Sequence, residues 1–449
     1  MKLYFFGATR MVTGSNYLLE TKDIKILIDC GLFQGARHVE NKNYEEFPFN
    51  PKEIDVLLVT HAHLDHIGRI PKLYRDGFRG KILATKPTKD FAYAMLEDSQ
   101  EILEKEAKRL SRKPLYKFID VEKSLDLIEG IDYGKKINLG KNVFCRFQDA
   151  GHILGSAMIE IWAKDKKIVF SGDIGNEPVP LLKAPESIKE ADYVVVESTY
   201  GNRIHEAKKQ RKDILENVIE DTIARGGTLM IPSFALERTQ ELLYELNELV
   251  ENHRIPKVPI FVDSPLAIKA LEIYKKYPDY YNKEAICLIK AGDDLFKFPG
   301  LTLTRATEES KKINNIMPPK IIIAGSGMST GGRILHHEIR YLPEPKSCLL
   351  IISYQVAGSL GRRILDGIKI VKIFNEMIPV KAEVRAIGAY SSHADQRGIY
   401  NWLNKFKRPI KQIFVVHGEE EPALSLVQLI KDHLGFDALA PMMDEVVKL

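Results

Sequence analysis

The hydrophobic pattern of the chain is dominated by short apolar runs that stop abruptly at polar or glycine-rich residues. Five stand out: KILIDCG (25–31), DVLLVTHAH (55–63), KIVFSGDIG (167–175), DYVVVESTYG (192–201) and QIFVVHGEE (412–420). They are rich in β-branched residues and too short for helices, so they predict buried strands. In layered α/β folds, ligands gather just beyond the carboxyl ends of strands. Each run ends on His, Asp or Glu, which points the chemistry of five strands at one edge.

Between about 203 and 376 the texture changes. Helical stretches Glu206–Arg225, Leu236–Val250 and Leu266–Tyr277 alternate with the apolar runs TLMIPSF (228–234), PIFVDS (259–264), KIIIAGSG (320–327) and CLLIIS (348–353). Such alternation predicts a parallel sheet of nucleotide-binding type. Ligand-type strand ends resume at GAYSSHAD (388–395) and VVHGEE (415–420). The expected organisation is one α/β domain, 1–202 plus 377–449, interrupted by a second, 203–376, with the active site in the cleft between them.

Composition changes this picture little. A chain of 449 residues accommodates two domains, and 45% hydrophobic with 28% charged residues is ordinary for a globular enzyme. No apolar run approaches the roughly 20 residues that span a bilayer. MKLYFFGATRMVTGS reads as a first strand and not as a signal peptide, so a cytoplasmic protein without membrane partners is expected. The net charge of +4 permits a nucleic-acid partner only through a local basic groove. Cys30, Cys145, Cys287 and Cys348 lie far apart and are expected to be buried, small and apolar, not a disulfide frame or a zinc knuckle.

The segment HAHLDH (61–66) carries three imidazoles and a carboxylate in six residues directly after a strand. His61 and His63 alternate and so project to one side of an extended segment, while Asp65 and His66 fall where the chain turns into the helix suggested by IGRIPKLY. Neutral imidazole with carboxylate suits Zn²⁺. His152 (AGHILGS), Asp173 (FSGDIG) and His417 (VVHGEE) supply further ligands at other strand ends. The resulting expectation is one zinc on His61, His63 and His152, a second on Asp65, His66 and His417, and Asp173 bridging them. Alone, His152 or His417 reads as a core histidine and Asp29 as a turn cap. Three histidines in one loop have little structural reason to be there.

With TRMVTGS (9–15), ESTYGNR (197–203), PSFALERTQELL (232–243), VDSPLA (262–267), GSGMSTGGR (325–333), SSHAD (391–395) and VVHGE (415–419), the chain resembles the β-CASP branch of the metallo-β-lactamase superfamily. That family includes the cleavage and polyadenylation specificity factor nucleases and ribonuclease J. The resemblance implies an α/β fold, a metallo-β-lactamase αββα sandwich with an inserted β-CASP domain, in a short form without KH domains. Asp29 matches an orienting carboxylate. His61, His63, Asp65, His66, His152 and Asp173 match the metal motifs, and Glu197, His393 and His417 the three β-CASP motifs. It further implies two Zn²⁺ per chain and a ribonuclease that leaves 5′-phosphate and 3′-hydroxyl ends. His393 would be the general acid, with Glu197 its partner.

Cutting within RNA and 5′-to-3′ trimming share these residues; the difference lies in whether the cleft pockets a 5′ end. The expected partner is single-stranded RNA, with a homodimer and RNA-processing partner proteins left open. Phosphate contacts are expected at Ser326, Gly327, Met328 and Arg333, where a Gly-rich loop opens a helix. Ser233 and Arg238 are further candidates, against a helix cap or salt bridge. The competing functions are a non-catalytic scaffold and a hydrolase of another ester.

Overall fold

A computed structural model describes residues 1–205, 211–356, 358–407 and 409–449. Its contacts divide the chain into two compact units, Met1–Ile204 with Ser392–Leu449, and His205–Ser391.

The first unit is an αββα sandwich. Among the described residues, one seven-stranded sheet runs in the order Glu445–Lys448, Lys2–Phe5, Tyr17–Glu20, Lys25–Ile28, Val56–Leu58, Lys81–Thr85, Ile128–Ile131. The other runs Ala438–Leu439, Gln412–Val416, Tyr193–Glu197, Lys166–Phe170, Ala157–Ala163, Val143–Asp149, Ile137–Gly140. The five chemistry-bearing runs are divided between the two sheets, the first two in the former and the other three in the latter.

The period of two places their side chains. Ile168, Phe170, Val195, Phe414 and Val416 join the core between the sheets, with Ile26, Ile28 and Leu58. Val169, Val194, Val196, Ile413 and Val415 face the opposite way, against Ile399, Trp402 and Leu403 of the helix Gln396–Leu403 and Leu426 of Glu420–Leu429. A slip of one residue would exchange these faces, and each such side chain contributes about 1.5–3 kcal/mol by burial. Register is thus held firmly, and with it the position of Asp173, Glu197 and His417 just beyond or at the strand ends.

The helix Lys86–Arg109, which the apolar runs did not announce, also positions the site. The Thr85 hydroxyl caps it by accepting from Thr88 N, and donates to Gly155 O at 2.6 Å, tying the helix start to the loop after His152.

The second unit is built on a parallel sheet in the order Leu301–Leu303, Ile260–Asp263, Lys320–Ala324, Thr228–Pro232, Cys348–Ile351, Glu383–Ala386. Helices Arg211–Ala224, Arg238–Glu251 and Pro265–Lys276 lie where helical stretches were expected; positions 206–210 fall outside the described residues. Because Glu383–Ala386 pairs with Cys348–Ile351, the segment after 376 stays with this unit, and the chain rejoins the first unit at Ser392. A separate antiparallel hairpin joins Ile370–Ile373 to Glu376–Pro379. Cys30, Cys145 and Cys348 are buried, but Cys287 is exposed on the helix Lys283–Lys290, whose buried side holds Ala285 instead. No helix among the described residues is long and apolar enough to cross a membrane.

Candidate metal centre

HAHLDH leaves the strand Val56–Leu58 as extended chain and turns into the short helix Leu64–Ile67. Gly31 is required beside it: a Cβ there would stand 1.6 Å from Asp65 O. His61 is fully buried, His66 and Asp173 nearly so, and all belong to the first unit.

Two groups of ligand atoms converge. In the first, His61 Nε2 lies 3.0 Å from His63 Nδ1, and His152 Nε2 lies 3.2 Å from that same nitrogen. Asp173 Oδ2 stands 3.4 Å from His61 Nε2 and 3.5 Å from His152 Nε2. In the second, Asp65 Oδ2 lies 3.8 Å from His66 Nε2 and 3.6 Å from His417 Nε2. Asp173 Oδ1 stands 3.4 Å and 3.7 Å from those two nitrogens. Ligands about 2.1 Å from one ion in a tetrahedron stand about 3.4 Å apart. Both groups match that spacing, and each takes one oxygen of Asp173. Asp173 Oδ1 and His152 Nδ1 are buried without a hydrogen-bond partner. A nitrogen and carboxylate donor set of this geometry fits divalent metal ions.

The surroundings set the ligands' charge and direction. Burial, reinforced by neighbouring imidazoles, pushes His61 and His63 down to about 3 and His152 well below its ordinary value, keeping these rings neutral as metal binding requires. Burial also opposes a charge on His66, but Asp173, Asp29 and Asp65 face it and hold its pKa well above the usual value. Asp29 accepts from His66 Nδ1 at 2.7 Å, and from Thr60 N and the Thr60 hydroxyl at 2.8 Å each. This leaves His66 Nε2 for the site, the arrangement by which an outer carboxylate orients a metal-binding imidazole. Asp29 (φ 58°) and His417 (φ 49°) both hold left-handed backbone conformations, strain of the kind that gathers at functional sites.

Beside the two groups stands a proton-carrying pair. His393 Nδ1 lies 3.1 Å and 3.3 Å from the two oxygens of fully buried Glu197, which also accepts from Ile174 N at 2.6 Å. Ala394 N donates to Ile174 O, fixing the His393 loop against the chain next to Asp173. Burial opposes the charged ring, but Glu197 and Asp173 outweigh it and raise His393 to about 9.

Two residues went unnoticed in the sequence. The buried Ser15 hydroxyl is 2.9 Å from His417 Nδ1, and Thr60 links Asp29 to His61 Nδ1 at 3.1 Å. Each is one hydroxyl among many, and only its place in the fold marks it; Ser15 at least lies within the TRMVTGS motif.

The remaining candidates lie in the second unit. Ser326 accepts from Thr330 N and Gly331 N, closing its own loop, with Gly327 buried and Met328 half-buried beside it. Arg333 donates to Asp263 Oδ1 at 2.8 Å and to the carbonyls of Thr304 and Arg305. Ser233 and Arg238 are buried: Ser233 shares a hydrogen bond with Thr239, and Arg238 is ion-paired with Glu241.

An αββα sandwich that gathers five imidazoles and two carboxylates at its strand ends defines a divalent-metal-dependent hydrolase. Sequence comparison narrows the class. Residues 18–189 match the metallo-β-lactamase superfamily domain, 239–364 the Beta-Casp domain, and 377–441 the Zn-dependent metallo-hydrolase RNA specificity domain. The chain is 38% identical to "Ribonuclease TTHA0252" of Thermus thermophilus, over 96% of each. It is 32% identical to an "RNase J-like protein" of Methanocaldococcus jannaschii, over 100% of this chain and 99% of that one. "Transcription termination factor FttA" of Methanosarcina mazei matches at 31% identity over 99% of this chain and 71% of its own length. A solved structure of a protein of unknown function from Enterococcus faecalis shares the fold, with TM-score 0.57 and 13% identity, covering 100% of this chain and 99% of that one. The protein belongs to the β-CASP family of metallo-β-lactamase-fold hydrolases.

Proposed function

We propose that the protein is a ribonuclease dependent on two zinc ions, hydrolysing RNA to 5′-phosphate and 3′-hydroxyl ends. The observation that carries this reading is Asp173, whose two oxygens face separate three-ligand groups while His393 stands alongside. His61, His63 and His152 would hold one ion, Asp65, His66 and His417 the other, and Asp173 would bridge. Ions bound there supply Lewis acidity, neutralising phosphate charge and making water acidic near neutral pH.

The chain's own residues do the rest. Asp29 fixes the His66 ring. Glu197 takes the Nδ1 side of His393, leaving Nε2 to hand a proton to the departing 3′ oxygen, general-acid work of about 10²–10⁴ in rate. RNA as the substrate is supported by the relatives named ribonuclease and RNase J-like and by the RNA specificity domain. In the second unit, the Ser326–Met328 loop and Arg333 are proposed phosphate contacts. Ser233 and Arg238, both buried with internal partners, are the further candidates for that role.

The test is zinc-loaded protein with one RNA labelled separately at each end, beside His393→Ala and chelator-treated samples. Internal fragments lost in both controls establish an endonuclease; shortening from the 5′ end, an exonuclease. A cyclic phosphate product, or no cleavage by protein that carries both ions, refutes the mechanism.

A further inference from the structure

The hairpin Ile370–Pro379 presents a surface the fold does not need. Its register sets Val371 opposite Ile378, both buried against Leu335 and Tyr341 of the helix Ile334–Tyr341. The outward side carries Ile370, Lys372 and Met377, with Ile370 53% and Met377 65% exposed.

Ile373 pairs with Glu376, so the tip is the two-residue loop Phe374–Asn375. Phe374 occupies its first position at φ 52°, where such turns ordinarily use glycine. A bulky side chain there strains the backbone, and at 55% exposure it returns little burial. The ring instead meets another exposed ring, His336, at 5.2 Å between centroids.

Around this platform the exposed cations Lys369, Lys372 and Arg340 outnumber the hairpin's exposed carboxylate, Glu376. Lys369 and Lys372 are exposed and have no ion-pair partner among the described residues, and Arg340 is exposed one helical turn beyond His336. Exposed lysines on a hairpin edge oppose pairing with a second copy, since like charges would meet. They favour an anionic strand, and an aromatic ring beside unpaired cations is what a single strand's bases and phosphates require.

We propose that the Phe374 hairpin is an accessory binding surface for single-stranded RNA, stacking a base on Phe374 and its neighbour His336 while Lys369 and Lys372 meet phosphates. It rests on the ribonuclease reading and adds a contact outside the metal centre.

The test uses the full chain with His393→Ala to stop cleavage, and fluorescence anisotropy with an unstructured single-stranded RNA. Phe374→Gly removes both ring and strain. It is expected to weaken binding roughly fivefold to a hundredfold, by loss of one stacked base, without lowering the melting temperature. Phe374→Ala and Lys369→Glu with Lys372→Glu should weaken binding too. Unchanged RNA affinity in Phe374→Gly, with firm binding by its parent, overturns the proposal and leaves the ribonuclease standing. Absence of both RNA binding and RNA cleavage in the parental proteins overturns both. A fall in sedimenting mass in Phe374→Gly assigns the surface to a second copy and also overturns it.

Discussion

Replacing Ser15 with alanine tests how the second group of ligands is held. The Ser15 hydroxyl lies 2.9 Å from His417 Nδ1 and 3.4 Å from His66 Nε2, with no solvent exposure. Its backbone is locked in place, Ser15 N donating to Asp65 O and Gly31 N to Ser15 O. With His417 Nε2 turned to an ion, its Nδ1 carries the proton and donates to Ser15 Oγ, and Ser15→Ala removes that acceptor. A buried donor left unsatisfied costs about 1–3 kcal/mol. The imidazole escapes that cost only by turning, which takes Nε2 away from Asp65 and Asp173. Either way the ion that Asp65, His66 and His417 would hold should bind about 10–100-fold more weakly. The other ion, whose ligands Ser15 does not touch, should be unaffected. Chelator competition with metal counting gives both affinities without reference to catalysis. Equal weakening of both ions would mean a general loss of structure, and no weakening would mean that Ser15 does not orient His417; either refutes the reasoning.

Two further outcomes follow from the electrostatics. His393, raised to about 9, keeps its proton through neutral pH, and with the general-acid role proposed for it activity should fall as pH rises through that value. Glu197→Gln should shift this alkaline limb down by about 1–3 pH units, and the ring's NMR titration with it; a limb that stays put would remove His393 as the acid. In the second unit, burial pushes the Glu338 carboxyl up to about 8, while Ser329 donates to it. Its folded pKa lies above its unfolded value, so its contribution to stability is complete below about 4.5 and is lost as pH rises through about 8, at up to about 1.4 kcal/mol per pH unit. Glu338→Gln keeps the acceptor for Ser329, and denaturant unfolding should show it gaining on the parent between acidic and alkaline pH; parallel pH profiles would contradict this.

How much of this was legible in the sequence depended on how local each signal is. HAHLDH reads directly, because its ligands sit in one loop and their spacing is set by a strand running into a helix. The strand ends carrying Asp173, Glu197 and His417 read from apolar runs that stop at charged or imidazole side chains. Which sheet each strand joins did not, because a period of two reports the faces of a strand and not its neighbours. The helix Lys86–Arg109 was hidden because its buried residues include Thr88, Ser99 and Gln100 among the apolar ones, which blurs the helical stripe. The strand Glu383–Ala386 is only partly buried at the margin of its sheet, too weak a pattern to show that the chain had not yet returned. The hydroxyls of Ser15 and Thr60 acquire meaning only through contacts across the fold.

The parallel pairing of Tyr193–Glu197 with Gln412–Val416 also orders events in time. Synthesis delivers His61, His63, His152 and Asp173 early, then the whole second unit, and only afterwards His393 and His417. On the proposed reading, every ligand of the first metal group is therefore made before both the proton donor and the last ligand of the second. The site would then be complete only once the final segment had been made and had joined the sheet.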